Sequence, residues 1–440
     1  MRGVTVLFLV SYIYIWRISV LVLALELLFV KQTNLNHRQI QQVSAYKMKS
    51  ISALLLASSA LTAVLAVDSA SSGKIIFSDV GYAAPYHPIS KIKDGKGDSC
   101  YCELSNEQKW YSGVNAPFSE PLAVHVGGPI KLTKFAHYTS EHFVVGKNTS
   151  AGWNRGAYFG YTDGNAVMDN VTFLSHVGKQ SDCLGKALSY FGQDVVTPAK
   201  VNGAPGQYLN VSSGTDFLIY SNISCPKSGV NNACGVYRKD IPAFYGFDGV
   251  TKMFLFEFTM PNDTSSRLNS PSIWLSSDSL ARVTAGYGFQ SNCSCLFQGC
   301  GEYNVFTANA THMNTTIITQ QGKNSTDYPS MFFDNIGDGY FERPVDSAVV
   351  GGVVFDSEGN VITFISNNAT FASQLSASTV NSMLEALPQL GTTEQLKAGN
   401  LTAPSTSSSR NAANSVAPMA SVWFYLLAVM TATVHSIIGY

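Results

Sequence analysis

Charged residues are scarce in this 440-residue sequence, and the body of the chain has no sustained run of Lys or Arg. Asp, Glu, Lys and Arg together make up 13% of it, against roughly 25% in ordinary globular proteins. The formal net charge is −1. Because a nucleic-acid-binding surface needs a basic patch, nothing in this composition indicates nucleic acid as a partner. A neutral polysaccharide requires no charge bias.

The sequence also lacks the alternation of strand and helix patterns that is typical of a parallel α/β sheet. Short strand patterns separated by Gly, Pro and Asn recur instead in residues 73–145 and from Trp153 to about Leu390. The sequence therefore predicts an all-β fold. We expect a small N-terminal β domain at residues 67–148, followed by a β-sandwich or jelly roll at residues 149–390.

Helical periodicity is confined to one segment, "SASTVNSMLEALPQL". Ser376 or Ser378 is the candidate N-cap of this predicted helix. Four apolar side chains recur at helical spacing and are expected to share one face: Val380, Met383, Leu384 and Leu387.

The N-terminus contains two candidate targeting signals. Val4 to Val30 is an apolar run long enough to span a membrane. Met48 then opens a second pattern, in which a short basic region precedes an apolar run and a small-residue cleavage site. We interpret residues 48–66 as a secretory signal peptide and residues 1–47 as an upstream extension or a gene-model artefact. A type II membrane anchor is the alternative.

The C-terminal part of the sequence contains another membrane signal. Residues 391–415 are rich in Ser and Thr and are predicted to form a stalk, and Met419 to Ile438 is mostly apolar. Small residues, a spacer and a hydrophobic tail are typical of a GPI-transfer signal, here residues 416–440, with Asn411 as the best attachment residue. A single membrane-spanning helix is the alternative reading of the tail.

Asn-X-Ser/Thr sequons are frequent between these terminal signals. Such a density on a signal-bearing chain favours a glycosylated extracellular or cell-surface protein. The sequon asparagines are Asn148, Asn170, Asn210, Asn222, Asn262, Asn292, Asn309, Asn314, Asn324, Asn368 and Asn400.

The cysteines also lie between the terminal signals, and their even number predicts disulfides in an oxidising compartment. They are Cys100, Cys102, Cys183, Cys225, Cys234, Cys293, Cys295 and Cys300. We expect Cys225 and Cys234 to form a local loop, and Cys100 and Cys102 to pair with other partners. The alternative, a metal site made by Cys100 and Cys102 with His125, His137 and His142, matches no zinc module, so we expect neither metal nor cofactor.

Several short motifs together resemble a known family. Their order along the chain is that of the Tos-type cell-wall proteins of fungi and related walled microbes, which are often labelled glucan endo-1,3-β-glucosidases. The resemblance covers about residues 75–390, and its second half is also similar to glycoside hydrolase family 16, a family with a concanavalin-like β-jelly roll. The motifs are "SDVGYAAPYHPI", "CYCE", "GWNRGAYF", "NVTFLSHVG", "MFLFEFTMPNDTSS", "PSIWL", "GCGE" and "YFERP".

The resemblance implies a catalytic strand that reads Glu-X-Asp-X-X-Glu in the relatives. Strand side chains alternate between faces, so the first two acids share a face, and a one-residue bulge returns the third acid to it. Carboxyl groups about 5 Å apart are typical of a retaining glycosidase. One Glu is then the nucleophile and the other the general acid/base, while the Asp tunes the nucleophile.

In this sequence two of the three acids are replaced. Glu302 stands at the nucleophile position, Asn304 replaces the Asp, and Thr307 replaces the acid/base Glu. A threonine hydroxyl cannot protonate a departing sugar oxygen near neutral pH. Because loss of general acid/base catalysis typically costs about 10²–10⁴ in rate, we expect weak or absent hydrolysis.

Other residues complete the predicted site. Glu257 is a candidate substitute acid, and structural use beside an arginine is its alternative. Aromatic side chains supply flat faces for pyranose rings, although Trp274 could equally lie in the core. The candidate sugar-binding aromatics are Trp274, Tyr287, Tyr303 and Tyr340.

Two function classes follow from these observations. The first is a wall-anchored β-1,3-glucan hydrolase or transglycosylase, which the resemblance implies. The second is a non-catalytic glucan-binding or structural wall glycoprotein, which the replaced acids favour. In both, the partners are a cell-wall β-glucan and a membrane reached through the GPI anchor or the C-terminal tail.

Overall fold

The computed structural model describes residues 69–162, 165–191, 210–264, 266, 268–284, 293, 299–321, 333–397 and 403. The predicted signal peptide, the upstream extension, the GPI signal with Asn411, and residues Tyr287, Cys295, Asn292, Asn324 and Asn400 lie outside these ranges. Among the described residues, none belongs to a helix of the length and apolar character that crossing a membrane requires.

Strands dominate the described structure, as the sequence predicted. The first thirteen are β1 (Ser69–Ala70), β2 (Gly73–Ser78), β3 (Ala84–Tyr86), β4 (Ile89–Asp94), β5 (Cys100–Leu104), β6 (Lys109–Tyr111), β7 (Leu122–Gly127), β8 (Ile130–Thr139), β9 (Trp153–Thr162), β10 (Asn165–Asp169), β11 (Thr172–Ser175), β12 (Gln180–Ser181) and β13 (Gly185–Lys186).

The later strands are β14 (Ser189–Tyr190), β15 (Asn210–Val211), β16 (Asp216–Tyr220), β17 (Lys252–Thr259), β18 (Ser272–Ser277), β19 (Glu302–Ala308), β20 (His312–Thr319), β21 (Phe333–Ile336), β22 (Tyr340–Glu342), β23 (Val349–Phe355), β24 (Val361–Ile365), β25 (Gln374–Leu375) and β26 (Glu394–Gln395). The described helices are α1 (Asp278–Ala281) and α2 (Ala377–Glu385), with a 3₁₀ turn at Gly97–Ser99.

Two large sheets form a β-sandwich. The first sheet has the order β1-β22-β20-β19-β18-β7-β16-β11-β14, and β21 pairs with β20. The second has the order β10-β9-β8-β17-β23-β24-β2-β26, and β15 and β25 pair with β8 and β9. Nearly all neighbours are antiparallel, and β12-β13, β3-β6 and β4-β5 form separate ribbons. The all-β prediction is confirmed.

The core lies between the two sheets. Phe254 and Phe256 of the second sheet and Val124 and Phe306 of the first are buried in one apolar cluster. The rings of Phe258 and Phe306 are 5.2 Å apart across the interface. Because each strand alternates its side chains, the opposite face of every core strand is left for other contacts.

The N-terminal strands belong to these same sheets, which differs from the expected division near residue 148. β2 pairs with β24 in the second sheet. β7 lies between β16 and β18 in the first sheet, and β8 lies between β9 and β17 in the second. Apart from the local pairing of β8 with β9, these pairings join segments that are far apart in the sequence, which local sequence patterns do not reveal. Of the described strands before residue 148, only those of the ribbons between Ala84 and Tyr111 stand outside the two sheets.

The predicted stalk also begins later than expected. β26 pairs in parallel with β2 at the edge of the second sheet, and Leu396 is buried against the core. Residues 394–396 are therefore part of the folded body. Their polar and Thr-rich surroundings in the sequence concealed this short edge strand.

Helix α2 confirms the one helical prediction. Ser376 is its N-cap, and its hydroxyl accepts a hydrogen bond from the backbone N–H of Thr379. Val380 and Leu384 are buried against the outer face of the second sheet, where they join Leu255 and other apolar side chains. The apolar stripe of the helix thus covers the face of β17 that the core does not use.

One local disulfide and two long-range ones are described. Cys225 and Cys234 are bonded, as the sequence predicted. Cys300 does not belong to these three pairs and is also disulfide-bonded.

The remaining pairs are Cys100 with Cys183 and Cys102 with Cys293, so the expectation that Cys100 and Cys102 bond elsewhere is confirmed. Both join the β4-β5 ribbon to later segments. Because these sulfurs are in disulfides, they are not available as thiolates for the alternative metal site.

A buried histidine on β8 generates a prediction about acid stability. His137 is 5% exposed, and its ring lies 5.0 and 5.1 Å from those of Phe247 and Phe254. Burial, reinforced by the charge of Lys252, lowers its pKa to about 3. Because an unfolded histidine has a pKa of about 6.5, protonation favours the unfolded chain, and stability falls as the pH drops from 6.5 towards 3.

We therefore expect His137→Phe, which preserves the aromatic packing, to lose less stability in acid than the wild type. The difference in the free energy of unfolding between pH 7 and pH 4.5 should shrink by on the order of 2 kcal/mol. Urea unfolding at both pH values measures it. The exposed His142→Phe variant is the control, and an unchanged pH dependence in His137→Phe would contradict the account.

Candidate functional site

Strand β19 contains a one-residue bulge. Asn304 pairs with Thr316 of β20, and the next register pair on this side joins Thr307 to Asn314. Three steps along β19 therefore match two steps along β20. The register with β18 shifts in the same part of β19. The bulge expected from the spacing of the motif is confirmed.

The bulge places the three motif positions on one face of the first sheet. Tyr303 and Phe306 are fully buried in the core, whereas Glu302, Asn304 and Thr307 point in the opposite direction. If the same sequence ran through β19 without the bulge, strict alternation would turn Thr307 into the core. We call the face of the first sheet that carries these three residues the site face.

Strand β18 borders the motif with a tryptophan between two serines. The pairs in register are Ser276 with Glu302, Trp274 with Asn304, and Ser272 with Thr307. Trp274 is half-buried on the site face rather than in the core. Its six-membered ring lies over Gly127 of β7, where an added Cβ would be 3.2 Å from Trp274 Cζ3. The glycine gives the indole room to lie along the sheet.

His125, two residues before Gly127 on β7, packs against one face of the indole. Its ring stacks on Trp274 with centroids 4.7 Å apart and planes 15° apart. Its Nε2 lies 2.8 Å from Ser276 Oγ, and the side chain is 4% exposed. Burial, with a further contribution from the neighbouring His176, lowers its pKa to about 3 against the opposing effect of Asp216. The imidazole is therefore neutral near pH 7.

His176 and Asp216 form a second polar pair on the same face. His176 Nδ1 lies 3.3 Å from Asp216 Oδ2. Burial acts to raise the pKa of Asp216, but the hydrogen bond and charge of His176 outweigh it, and the net shift is downward. Within the described part of the chain, no group of three or more His, Cys, Asp or Glu side chains is arranged to hold a metal ion.

With this geometry established, comparisons with known proteins identify the family. The model of the C-terminal part of the "Cell wall protein YJL171C/Tos1" family matches residues 151–383, and that of its N-terminal part matches residues 73–140. The chain belongs to the YJL171C/Tos1 cell wall protein family. The resemblance inferred from the motifs is thus confirmed.

Relatives of this family cover most of the chain. It is 43% identical over 377 residues to the Saccharomyces cerevisiae protein named "Probable circularly permuted 1,3-beta-glucanase YJL171C", covering 82% of this chain and 92% of that protein. It is 42% identical over 325 residues to the Candida albicans protein named "Probable circularly permuted 1,3-beta-glucanase PGA52", covering 71% and 81%. No solved structure matches the chain.

The structure corrects the assignment of Tyr303 within this family motif. Its side chain is fully buried between the sheets, edge-on to Phe77 at 6.2 Å. Its hydroxyl is hydrogen-bonded to Thr315 and Thr363. Alternation along β19 dictates this, because Tyr303 neighbours two residues of the site face. Tyr303 is a core residue and cannot contact a sugar.

Tyr340 does lie on the site face. Its neighbour Phe341 is fully buried and pairs with Met313 of β20, so Tyr340 points the other way. It is half-buried, and its ring lies 6.0 Å from that of His312. Tyr340 therefore borders the Thr307 end of the motif across β20.

The structure also excludes Glu257 as a substitute acid. Glu257 lies on β17 of the second sheet, and its alternation with Phe256 and Phe258 turns it to the outer face of the sandwich. There it forms an ion pair with Lys134 at 2.7 Å and accepts a hydrogen bond from Thr133 at 2.8 Å. The core separates it from Glu302. Its ionic partner is a lysine and not the expected arginine.

No carboxylate among the described residues is paired in register with Glu302 on the adjacent strands. Its neighbours on the adjacent strands are Ser276 and Ile318, and its own side chain is 7% exposed. Asp216 shares the site face but lies three strands from β19, about 14 Å at the usual strand spacing. Its carboxylate is engaged with His176 rather than with the motif.

Sequence reasoning missed part of this site. The sequence indicates His125 only as a ligand of the alternative metal site, and no motif points to Ser276, His176 or Asp216. His125 alternates with Val124 and Val126 in "LAVHVGG", and a polar residue in such a strand indicates a face other than the core. The contacts among these residues depend on pairing between distant strands, which the sequence does not display.

Proposed function

We propose that this chain is a cell-wall protein that binds β-1,3-glucan on the site face and hydrolyses it slowly or not at all. One observation carries the proposal: the bulge brings Glu302, Asn304 and Thr307 to one face, and on our reading of the motif Thr307 stands at the acid/base position. The names of the relatives as 1,3-beta-glucanases support the choice of glucan.

Neutral side chains on the site face favour binding of an uncharged sugar polymer. Trp274 offers a flat aromatic face, and a pyranose ring can stack on such a surface. Ser272, Ser276, Asn304 and Thr307 surround it with hydroxyl and amide groups that can hydrogen-bond to sugar hydroxyls. Tyr340 extends the same face beyond Thr307.

The chemistry of the motif explains why hydrolysis should be slow. A retaining mechanism needs one carboxylate as nucleophile and a second carboxyl group that protonates the leaving oxygen. Glu302 can serve as the first. Neither Asn304 nor Thr307 can supply a proton near neutral pH, so the expected loss is about 10²–10⁴ in rate.

Residual glucanase or transglycosylase activity is the second candidate function. The observation in its favour is the retention of Glu302 on the site face beside the Ser276 hydroxyl. In this alternative, water or a substrate hydroxyl replaces the missing acid/base at a lower rate.

We expect Trp274→Ala to weaken binding of a β-1,3-glucan oligosaccharide at least about tenfold, a loss on the order of 1.4 kcal/mol. Isothermal titration calorimetry measures it. Tyr101→Ala removes an exposed aromatic ring on the β4-β5 ribbon and serves as the matched control. Equal affinity of wild type and Trp274→Ala would contradict binding on the site face.

Restoring the two acids should restore cleavage. Asn304→Asp with Thr307→Glu adds a proton donor and the intervening carboxylate on the same face as Glu302, so reducing ends should be released from β-1,3-glucan. Adding Glu302→Gln should abolish the gain.

The matched control introduces the same charges on the second sheet, through Asn154→Asp with Thr139→Glu, and should gain nothing. A restored variant that binds glucan yet cleaves no faster than wild type would refute the assignment of the motif. A gain that survives Glu302→Gln would refute Glu302 as nucleophile.

We also propose that the protein is glycosylated and held at the cell surface by a GPI anchor at Asn411. Of the sequon asparagines that the structure describes, Asn148, Asn222 and Asn368 are among those exposed. Asn314 lies on the site face beside Thr307, so binding experiments should also use Asn314→Gln.

Phosphatidylinositol-specific phospholipase should release the protein from membranes, and deletion of residues 416–440 should send it into the medium. Both outcomes follow because the lipid of the GPI anchor would be the only attachment of the protein to the membrane. Protein that resists the enzyme and still contains its C-terminal tail would show a membrane-spanning segment instead.

A further inference from the structure

Two buried imidazoles on the site face have ring nitrogens without a partner among the described residues. They are Nδ1 of His125 and Nε2 of His176. Both side chains are at least nine-tenths buried. Buried polar atoms are nearly always hydrogen-bonded in folded proteins, to protein or to ordered water. These two nitrogens therefore require an explanation.

We propose that Asp216, His176, His125 and Ser276 form a hydrogen-bonded positioning chain, closed by one buried water between the two imidazoles, which turns the Ser276 oxygen towards a sugar hydroxyl. The positioning chain is a property of the folded protein. Only its role in glucan recognition rests on the proposed function.

The direction of the hydrogen bonds follows from the Asp216 end. The pKa of Asp216 is lowered, so near pH 7 its carboxylate is ionised and can only accept. His176 must then donate from Nδ1–H across the 3.3 Å contact. A neutral imidazole with its proton on Nδ1 has a lone pair on Nε2. In the proposed chain His176 is this neutral tautomer and presents an acceptor to the interior.

The next step reaches His125. A water that donates to His176 Nε2 can accept from Nδ1–H of His125, which satisfies both unpartnered nitrogens at once. A buried water typically makes about three hydrogen bonds to polar groups. His125 then has its own lone pair on Nε2, 2.8 Å from Ser276 Oγ. The neutral state of His125 is required for this acceptor role.

The last step determines what Ser276 offers to a ligand. Because Ser276 donates its proton to His125, its oxygen is left as an acceptor. Ser276 is the register partner of Glu302 and flanks Trp274 on β18. A hydroxyl of a sugar stacked on the indole can donate to it. The same imidazole holds the indole by stacking, so one residue orients both the stacking surface and the acceptor.

Side-chain ¹⁵N NMR of the folded protein tests the chain without any ligand. We expect His125 and His176 to be Nδ1–H tautomers in the wild type. Asp216→Ala removes the terminal acceptor and should shift His125 towards the Nε2–H tautomer, which donates to Ser276. The exposed Asp169→Ala on β10 is the control and should leave both tautomers unchanged. A wild-type His125 protonated on Nε2 would overturn the proposal.

Binding of a β-1,3-glucan oligosaccharide tests the role of the positioning chain in glucan recognition. Asp216→Ala should weaken affinity about tenfold, and so should His125→Phe, which keeps an aromatic ring against Trp274 but loses Nε2. Wild-type affinity in both variants, while Trp274→Ala loses binding, would overturn the positioning role and leave the proposed function intact. A wild type that binds no glucan would refute the proposed function, and the NMR result would then decide the positioning chain alone.

Discussion

The apolar layer between the two sheets determines which side chains can meet a ligand. Each core strand gives every second residue to this layer, and the remaining residues form the outer faces. On β19 the pattern would assign Glu302 and Thr307 to opposite faces, because they are five positions apart and five is an odd number. The bulge adds one residue to the core side and brings both to the site face. The geometry of the site depends on this single extra residue.

The same constraint explains the roles of the neighbouring residues. Tyr303 is one position from Glu302 and is therefore a core residue, with its hydroxyl satisfied by two threonines. Glu257 alternates with core phenylalanines of the opposite sheet, so it faces away from the site. Trp274 shares the register of Asn304 and reaches the site face. A residue next to a motif in the sequence therefore need not contribute to the site. The face of the sheet to which its side chain points decides this.

Local sequence features made part of the fold and of the candidate site predictable. The spacing of the motif predicted the bulge, the apolar period predicted helix α2 with a cap at Ser376 or Ser378, and the short separation of Cys225 and Cys234 predicted their disulfide. Pairing between distant strands was not predictable from one sequence, because strand patterns do not specify their partners. For this reason the placement of β2, β7 and β8 within the two large sheets, and the contact of His125 with Ser276, emerged only from the structure.

The central claim is that a glucan-binding face is retained while the proton donor of hydrolysis is missing. The most direct test incubates the purified wild-type protein with a defined β-1,3-glucan oligomer and follows bound oligomer and new reducing ends in the same sample. The account predicts saturable binding with the oligomer left almost entirely intact. Rapid release of reducing ends that Glu302→Gln leaves unchanged would contradict it.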